Sequence, residues 1–249
     1  MLKKMLKKLL KTILPKSVKE KLIEFNNDYF DGYALKSYSQ EGEDMILRRL
    51  FENQQTGFYV DVGAHHPKRF SNTYFFYKKA WRGINIDAMP GSMKLFNKIR
   101  PRDINIEVAI SDRKQTLTYY AFNEPALNGF SKELSEERAN QNNNCNIIFK
   151  KDIETFTLTE ILDNHLPQNQ EIDFLSIDVE GLDFMALKSN NFKKYKPKVI
   201  LIEILGSSLS DIENNEISKY LKEFDYSIYA KAVNTVIFIS NQFYKEKYK

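Results

Sequence analysis

The apolar and polar positions of the chain predict short buried strands that alternate with amphipathic helices. Apolar runs that end in turn residues predict strands, whereas apolar positions spaced three or four apart predict helices. The predicted strands are residues 57–63, 83–88, 104–111, 116–122, 172–181, 198–205, 226–230 and 235–240. The predicted helices are residues 40–52, 71–80, 92–99, 157–166, 182–190 and 217–224.

This alternation predicts an α/β fold with a mostly parallel sheet covered by helices on both faces, because the middle strands are apolar on both sides. The last two strands follow one another through a tight connection at Asn234, so we expect them to pair antiparallel at the sheet edge. Residues 123–146 are polar and end in the run NQNNNCN. We predict that they form a long loop, which serves as a lid or a substrate loop.

The first 22 residues differ from the rest of the chain in charge. They contain eight Lys and one Glu, so the chain's net charge of +4 comes from this segment, and the remainder is net −3. Within residues 1–14, Lys occupies one helix face, and the other face is formed by Leu2, Met5, Leu6, Leu9, Leu10 and Ile13. The pattern predicts a basic amphipathic N-terminal helix within residues 1–22 and a separate domain over residues 23–249. Residues 1–14 suit an anionic membrane surface or a protein partner.

Composition excludes several classes of protein. The mildly acidic body disfavours a nucleic-acid partner, which requires a basic face on the folded domain. The single cysteine, Cys145, excludes a disulfide framework and a cysteine-based metal cluster, and it fits a cytoplasmic location. No apolar run reaches the ~18 residues that a membrane span needs, so any membrane contact is expected to be peripheral, at the inner face of the cytoplasmic membrane. The sequence does not predict an oligomeric state.

Four predicted strands end in acidic residues: Asp61, Asp87, Asp178 and Glu203. Ligands of open α/β sheets bind outside the carboxyl ends of the strands. We therefore expect a crevice that is lined with carboxylates, suited to a ligand that has hydroxyl groups and a positive charge.

The turn DVGAHHP (61–67) indicates which ligand this crevice holds. A dinucleotide fold uses three glycines to approach a pyrophosphate, and here only Gly63 is present at the turn. Asp87 follows Gly63 by 24 residues and ends the next strand, where an acid accepts hydrogen bonds from ribose hydroxyls. A nucleoside cofactor without a pyrophosphate fits both features, and S-adenosylmethionine is such a cofactor.

Six segments in order resemble the FkbM family of S-adenosylmethionine-dependent methyltransferases. They are SQEGED (39–44), FYVDVGAHHP (58–67), SNTYFFY (71–77), WRGINIDAMP (81–90), RPRDINIEVAIS (100–111) and IDFLSIDVEGLD (172–183). The resemblance implies a Rossmann-like class I methyltransferase fold with seven strands and an antiparallel edge strand. It also implies O-methylation, often of sugars and polyketide-type products. The chain departs from the family at Ser176, where Lys is usual, and at Asp183, where Glu is more frequent.

The resemblance also implies roles for individual residues. The methionine part of the cofactor is expected to lie along Gly63, Ala64 and His65, with Gln40 and Asp44 over its end. Asp87 is expected to hold the ribose beside Ala88, and Ala109 and Ile110 are expected to flank the adenine. Asp178 is expected to lie beside the methyl group. The residues predicted to bind the cofactor are Gln40, Asp44, Asp61, Gly63, Ala64, His65, Asp87, Ala88, Ala109, Ile110 and Asp178.

Methyl transfer to a sugar hydroxyl benefits from a general base. The predicted catalytic residues are Asp178, Glu180 and His65, and His66 and Glu203 are alternative bases. The expected acceptor is a small-molecule or lipid-linked sugar, as in bacterial surface polysaccharides. The aromatic residues near the lid, Tyr119, Tyr120, Phe122 and Phe130, either stack on sugar faces or belong to the core.

Magnesium and three competing functions remain open at this point. Asp178, Glu180, Glu203 and His65 can form a hard, oxygen-rich site for Mg²⁺, although strand-end carboxylates serve equally well without a metal, and we assign no metal ligand. The Asp178-Val179-Glu180 sequence also resembles the acidic pair of metal-dependent nucleotide-sugar glycosyltransferases. A nucleic-acid methyltransferase and a non-catalytic, membrane-associated relict of the fold are the second and third competing functions.

Overall fold

The computed structural model describes residues 15–30, 32–141, 146–206 and 208–248. The chain divides into two units, residues 1–36 and residues 37–249. The predicted basic helix of residues 1–14 lies outside the described residues. In the first unit, helix α1 (Lys16–Tyr29) follows Pro15, whose fixed φ suits the start of a helix. The predicted boundary at residue 22 falls within this helix.

A seven-stranded sheet forms the centre of the second unit. Its strands are β1 (Phe58–Val62), β2 (Arg82–Asp87), β3 (Ile104–Glu107), β7 (Phe174–Ile177), β8 (Val199–Glu203), β9 (Tyr226–Ala232) and β10 (Thr235–Ser240). Their spatial order is β3-β2-β1-β7-β8-β10-β9. Neighbours from β3 to β8 pair in parallel. The mostly parallel, Rossmann-like sheet predicted from the sequence is therefore confirmed.

Strand β10 is the antiparallel member of the sheet. It pairs antiparallel with β8 on one side and with β9 on the other. The last two strands thus pair antiparallel, as predicted, but the antiparallel strand lies one place inside the edge and β9 is outermost. The tight turn through Asn234 fits this order, because it returns β10 directly beside β9, in the place next to β8.

Helices cover both faces of the sheet. The helices of the second unit are α2 (Glu43–Leu50), α3 (Tyr74–Lys78), α4 (Ser92–Ile99), α5 (Lys132–Gln141), α6 (Leu158–His165), α7 (Asp183–Lys188), α8 (Leu209–Asn214), α9 (Glu216–Glu223) and α10 (Asn241–Tyr248). In β1, Val60 packs into the core on one side with Leu162 of α6. Tyr59 packs into the core on the other side with Leu47 of α2. Buried strands with apolar side chains on both faces explain the continuous apolar runs of the sequence.

The predicted strand of residues 104–111 is in fact two strands. Ile104–Glu107 belongs to the main sheet, whereas β4 (Ala109–Ile110) pairs with β6 (Ile147–Phe156) in a second, three-stranded sheet. Strand β5 (Thr116–Phe122) has the predicted bounds but also belongs to this second sheet, antiparallel to β6. Strand β6 was not predicted, because most of its side chains are exposed and several are charged, so no apolar alternation marks it.

The predicted loop of residues 123–146 contains regular structure. A 3₁₀ turn spans Pro125–Leu127, and helix α5 spans Lys132–Gln141. Residues 142–145 lie outside the described residues. The sequence of α5, KELSEERANQ, is polar almost throughout, so the periodicity that marks other helices is missing. The prediction of a loop is wrong for this part of the segment.

Among the helices that the structure describes, none combines the length and the apolar character that crossing a bilayer requires.

Candidate active site

A cavity of about 360 Å³ opens at the carboxyl ends of β1, β2, β7 and β8. This is the edge at which open α/β sheets bind ligands. The predicted site residues that line it are Gln40, Gly63, His65, Asp87, Ala88, Ala109, Ile110, Asp178 and Glu180. The structure thus brings together most of the residues that the sequence singled out.

The turn after β1 is held against the end of β2 and against the main chain of Asp178. The backbone N–H groups of Gly63 and Ala64 both donate to the carbonyl of Ile86, at 2.9 and 3.0 Å. Gly63 has a φ of +83°, and a Cβ atom there would lie 1.6 Å from the carbonyl oxygen of Asp178. Only glycine fits this position, because it tolerates the positive φ and leaves space for the close approach of two main-chain segments.

Asp87 lies at the end of β2 and faces the cavity. Its two carboxylate oxygens accept backbone hydrogen bonds from His65 and Met89, each at 2.8 Å. Burial raises the pKa of Asp87, and these two hydrogen bonds oppose that effect. The carboxylate is therefore fixed in orientation and retains further lone pairs that can accept hydroxyl groups of a ligand.

Beyond Asp87, the cavity is walled by aliphatic and aromatic side chains. Ala109 and Ile110 of β4 line it, and so do Tyr119 and Phe130, whose rings lie 5.1 Å apart. Tyr120 and Phe122 are buried within the protein. Of the four aromatic residues noted in the sequence, Tyr119 and Phe130 can therefore contact a ligand, and the other two belong to the core.

Three acidic side chains meet at the ends of β7 and β8. Asp178, Glu180 and Glu203 each place a carboxylate oxygen within 4.8 Å of the others. The Asp178 side chain is accessible from the cavity, and the protein around the cavity shields it from bulk solvent. This desolvation, with the charges of Glu203, Asp183 and Glu180, raises its pKa well above the usual range. Burial, with the charges of Glu180 and Asp183, raises the pKa of Glu203 to about 8. At least one proton is therefore retained in this cluster near neutral pH.

Glu180 differs from the other two acids because a cation holds it. Its Oε2 atom accepts a hydrogen bond of 2.6 Å from Arg138, and the two side chains are mostly buried. Burial raises the pKa of Glu180, and the Arg138 guanidinium acts against that rise. Glu180 is thus engaged with helix α5, whereas Asp178 faces the cavity.

The raised pKa of Glu203 predicts a pH-dependent effect on stability. Between the ordinary value of 4.5 and about 8, the unfolded chain is ionised at this side chain while the folded protein keeps the proton. The free energy of unfolding therefore falls as the pH rises through this interval. Glu203→Gln is expected to raise the melting temperature at pH 8, by roughly 2–4 °C for each kcal/mol relieved.

The same variant provides its own control at low pH. Near pH 4, Glu203 is protonated in both states, so wild type and Glu203→Gln are expected to melt together. Scanning calorimetry at both pH values measures the difference. A variant less stable than wild type at pH 8 would contradict the unfavourable ionisation of Glu203.

Asp183 supports the loop that carries Asp178 and Glu180. Its carboxylate accepts backbone hydrogen bonds from Val179 at 3.0 Å and from Gly181 at 3.1 Å. The predicted strand of residues 172–181 ends at Ile177 because these contacts turn the chain. Asp183 therefore acts on the cavity through the loop that carries Asp178 and Glu180.

The two histidines of the turn after β1 have different environments. His65 lines the cavity, burial lowers its pKa, and its buried Nε2 atom has no hydrogen-bond partner among the described residues. The Nδ1 atom of His66 accepts backbone hydrogen bonds from Lys68 and Arg69. His65 therefore stays a candidate base, whereas His66 stabilises the turn.

Three residues predicted to bind the cofactor are engaged elsewhere. Asp44 is fully buried and accepts hydrogen bonds from Ser37, Ser39 and Arg48. It fixes the segment before α2, so its predicted position over the methionine end is not what the structure shows.

Asp61 and Ala64 also face other parts of the protein. The buried carboxylate of Asp61 accepts a hydrogen bond of 2.8 Å from Thr73, which in turn accepts from the fully buried Arg100. Ala64 packs into a small core with Met93 and Phe96. Both residues support the turn around Gly63, and their direct contact with the cofactor stays a prediction.

Glu124 and Arg138 of the 123–146 segment complete the site and were not predicted from the sequence. Arg138 reaches Glu180, and Arg69 forms an ion pair with Glu124 at 3.0 Å. All four side chains line the cavity. The sequence gives no signal for these pairs, since each joins residues that are distant along the chain.

The acidic cluster meets part of what a magnesium site needs. Three carboxylate oxygens within 4.8 Å suit a hard cation. The Arg138 guanidinium already supplies a positive charge to Glu180. Among the described residues, the group consists of carboxylates alone, without His65. Magnesium therefore stays a prediction from the sequence.

The fold and this cavity together define a class of protein, the Rossmann-like methyltransferases. The sequence matches the methyltransferase FkbM domain over residues 61–228, more than half of the chain. The chain belongs to this family of methyltransferases. A search of curated proteins finds no match.

Proposed function

We propose that this protein transfers the methyl group of S-adenosylmethionine to a hydroxyl of a sugar or glycan precursor. The observation that carries the proposal is a cavity that joins Asp87, the turn at Gly63 and the carboxylate of Asp178. The first two features suit a nucleoside with a ribose, and the third suits a group that loses a proton. Membership of the FkbM family supports the reaction type.

The cavity offers a place for each part of the cofactor. Asp87 would accept the ribose hydroxyls, while Ala109, Ile110 and Tyr119 would flank the adenine. Gln40 and His65 line the side where the methionine part would lie. The bound cofactor supplies a methyl group that the positive sulfur activates.

Asp178 is the best placed of the three predicted bases. It is open to the cavity, whereas Glu180 is held by Arg138. In the proposed reaction, a carboxylate oxygen of Asp178 holds the acceptor hydroxyl and takes its proton as the oxygen–methyl bond forms. Holding the acceptor in line can supply ~7–11 kcal/mol of the reduction in barrier, and proton transfer adds ~10²–10⁴-fold.

One incubation separates this function from the three competing ones. The full chain is mixed with methyl-labelled S-adenosylmethionine and a panel of sugars, sugar nucleotides, surface glycans and nucleic acids. Release of S-adenosylhomocysteine with label in a sugar supports the proposal. Release of a nucleoside diphosphate from a sugar nucleotide would indicate a glycosyltransferase. Failure to bind S-adenosylmethionine would favour a non-catalytic relict, and label in nucleic acid would indicate a nucleic-acid methyltransferase.

Chelation tests the magnesium hypothesis in the same assay. If the acidic cluster needs a metal, EDTA abolishes transfer and added Mg²⁺ restores it. Unchanged activity in EDTA would exclude a requirement for magnesium.

We propose that the basic N-terminal segment attaches the protein to the anionic inner face of the cytoplasmic membrane. The eight Lys of residues 1–22 support this, since each Lys near such a surface contributes ~1 kcal/mol. Helix α1 adds exposed apolar side chains at Val18, Leu22, Phe25 and Tyr29. A location beside membrane-bound glycan synthesis would supply lipid-linked sugar acceptors.

Vesicle co-sedimentation with and without residues 1–14 tests the membrane proposal. The full chain is expected to sediment with vesicles that contain anionic lipid and to be released as the salt concentration rises. Removal of residues 1–14 is expected to abolish most of this binding. Equal sedimentation of the two forms would refute the role of the segment.

A further inference from the structure

A second, smaller chamber adjoins the cofactor cavity. It has a volume of about 40 Å³ and shares Gln40, Phe70, Asp178, Glu203 and Asn234 with the larger cavity. The two spaces therefore meet at the pair Asp178 and Glu203. Its volume admits only a few non-hydrogen atoms, since a single water needs about 10–15 Å³ on such a measure.

Acidic side chains dominate the charge of this chamber. Its lining contains four carboxylates, from Glu41, Glu43, Asp178 and Glu203. In the part of the chain that the structure describes, no Lys, Arg or His lines it. Arg138, the cation of the acidic cluster, lines the larger cavity and pairs with Glu180. Above the pKa of Glu203, an anion placed in the chamber would meet ionised carboxylates at short range.

The buried side-chain atoms of the chamber that lack a hydrogen-bond partner among the described residues are both oxygens. The Oε2 atom of Glu203 and the Oδ1 atom of Asn72 are buried and have no partner among the described residues. Two donors of the lining are used within the protein: Thr235 donates to Glu43 at 3.1 Å, and the Asn72 amide donates to Ser176 at 3.1 Å. Buried acceptors without partners are costly, and a ligand that brings donors relieves them.

We propose that this chamber receives the end of the acceptor sugar that carries hydroxyl or amine groups, and that it rejects sugars with a carboxylate or phosphate at that end. The inference rests on the methyltransferase function proposed above. It names the acceptor class as neutral or amino sugars and excludes uronic acids and sugar phosphates at the reacting end. Glu203 then acts as a specificity residue, because its buried oxygen is the acceptor that faces both spaces.

Three matched probes test the chamber without requiring turnover. Saturation-transfer difference NMR at pH 9, where Glu203 is ionised, measures the binding of glucose, glucosamine and glucuronic acid to the full chain, with and without S-adenosylhomocysteine. Glucose and glucosamine are expected to bind, and glucuronic acid is expected to bind at least about tenfold more weakly, because like charges at close range are strongly unfavourable. Stronger binding of glucosamine than of glucose identifies an amine as the donor, and equal binding identifies hydroxyls.

Two variants assign the selectivity to the chamber. Glu203→Gln keeps the shape of the side chain and, at pH 9, removes the charge that the ionised carboxylate carries there. It is therefore expected to reduce the discrimination against glucuronic acid severalfold at that pH. Glu171 lies just before β7, away from the chamber, and its exposed carboxylate pairs with Lys198. Glu171→Gln removes this carboxylate and is expected to retain the wild-type selectivity among the three sugars.

The outcomes separate this inference from the proposed function. Calorimetric binding of S-adenosylhomocysteine, measured on the same samples, reports on the cofactor site alone. If S-adenosylhomocysteine does not bind while the sugar selectivity holds, the proposed function is wrong and the inference about the chamber stands. If glucuronic acid binds as tightly as glucose, if none of the three sugars binds, or if both variants behave alike, the inference about the chamber is overturned.

Discussion

Replacement of Asp178 by Asn is expected to lower the rate of methyl transfer by about 10²–10⁴-fold. The carboxylate of Asp178 is open to the cavity and stands at the junction with the smaller chamber, where the acceptor hydroxyl is proposed to lose its proton. An amide of the same shape can still accept a hydrogen bond but cannot take the proton. The rate is measured with labelled cofactor and the acceptor found in the panel, and cofactor affinity is measured by calorimetry.

The cofactor affinity of Asp178→Asn is expected to stay within severalfold of wild type, because Asp87 and the turn at Gly63 are unchanged. Asp225→Asn is a matched control: the residue is mostly exposed and precedes β9, at the opposite end of the parallel strands. It is expected to have no effect on either measurement. Near-normal turnover of Asp178→Asn would refute its role as base or acceptor anchor.

Replacement of Gly63 by Ala is expected to weaken cofactor binding by about 100-fold or more, as a displacement near 1 Å at a site can do. The added Cβ would lie 1.6 Å from the carbonyl oxygen of Asp178, so the turn after β1 or the end of β7 must move. Either movement displaces residues that line the cavity. Calorimetry with S-adenosylmethionine measures the affinity, and thermal unfolding measures the accompanying loss of stability.

Gly91→Ala separates the strain of a positive φ from this steric overlap. Gly91 has a φ of +84°, close to that of Gly63, but a Cβ there would have no atom within 4 Å among the described residues. Gly91→Ala is expected to cost only ~1–2 kcal/mol of stability, with little change in cofactor affinity. Equal effects of the two substitutions would show that the close approach of Gly63 to Asp178 is unimportant.

The sequence predicts the main sheet well because its strands are buried on both faces. Continuous apolar runs such as residues 57–63 are most simply explained by a central strand. The second sheet and helix α5 were harder to predict, since β6 is largely exposed and α5 is almost entirely polar. Side-chain contacts with distant residues, such as Arg138 with Glu180, hold these elements, and local patterns do not encode such contacts.

The candidate site was predictable where function depends on the position of a residue at a strand end. Asp87 is the last residue of β2 and Asp178 directly follows β7, so the geometry of a parallel sheet places both at the cavity. Asp61 belongs to β1, but its side chain points to the core on the side of Tyr59, where it meets Thr73. Asp61 is in register with Asn85 and Ser176, two residues before Asp87 and Asp178, so these acids share a face of the sheet and Asp61 lies deeper in it. This difference in depth explains why Asp61 differs in role from the acids at the cavity.

The cavity at the carboxyl ends of the strands is proposed to be a site for S-adenosylmethionine, and every role assigned to Asp87 and Asp178 depends on this. Calorimetric titration of the full chain with S-adenosylmethionine, and separately with UDP-glucose as a ligand typical of a glycosyltransferase, measures it directly. One bound S-adenosylmethionine per chain is expected, with no binding of UDP-glucose alone at the same concentration. Binding of UDP-glucose without any binding of S-adenosylmethionine would contradict the proposed site.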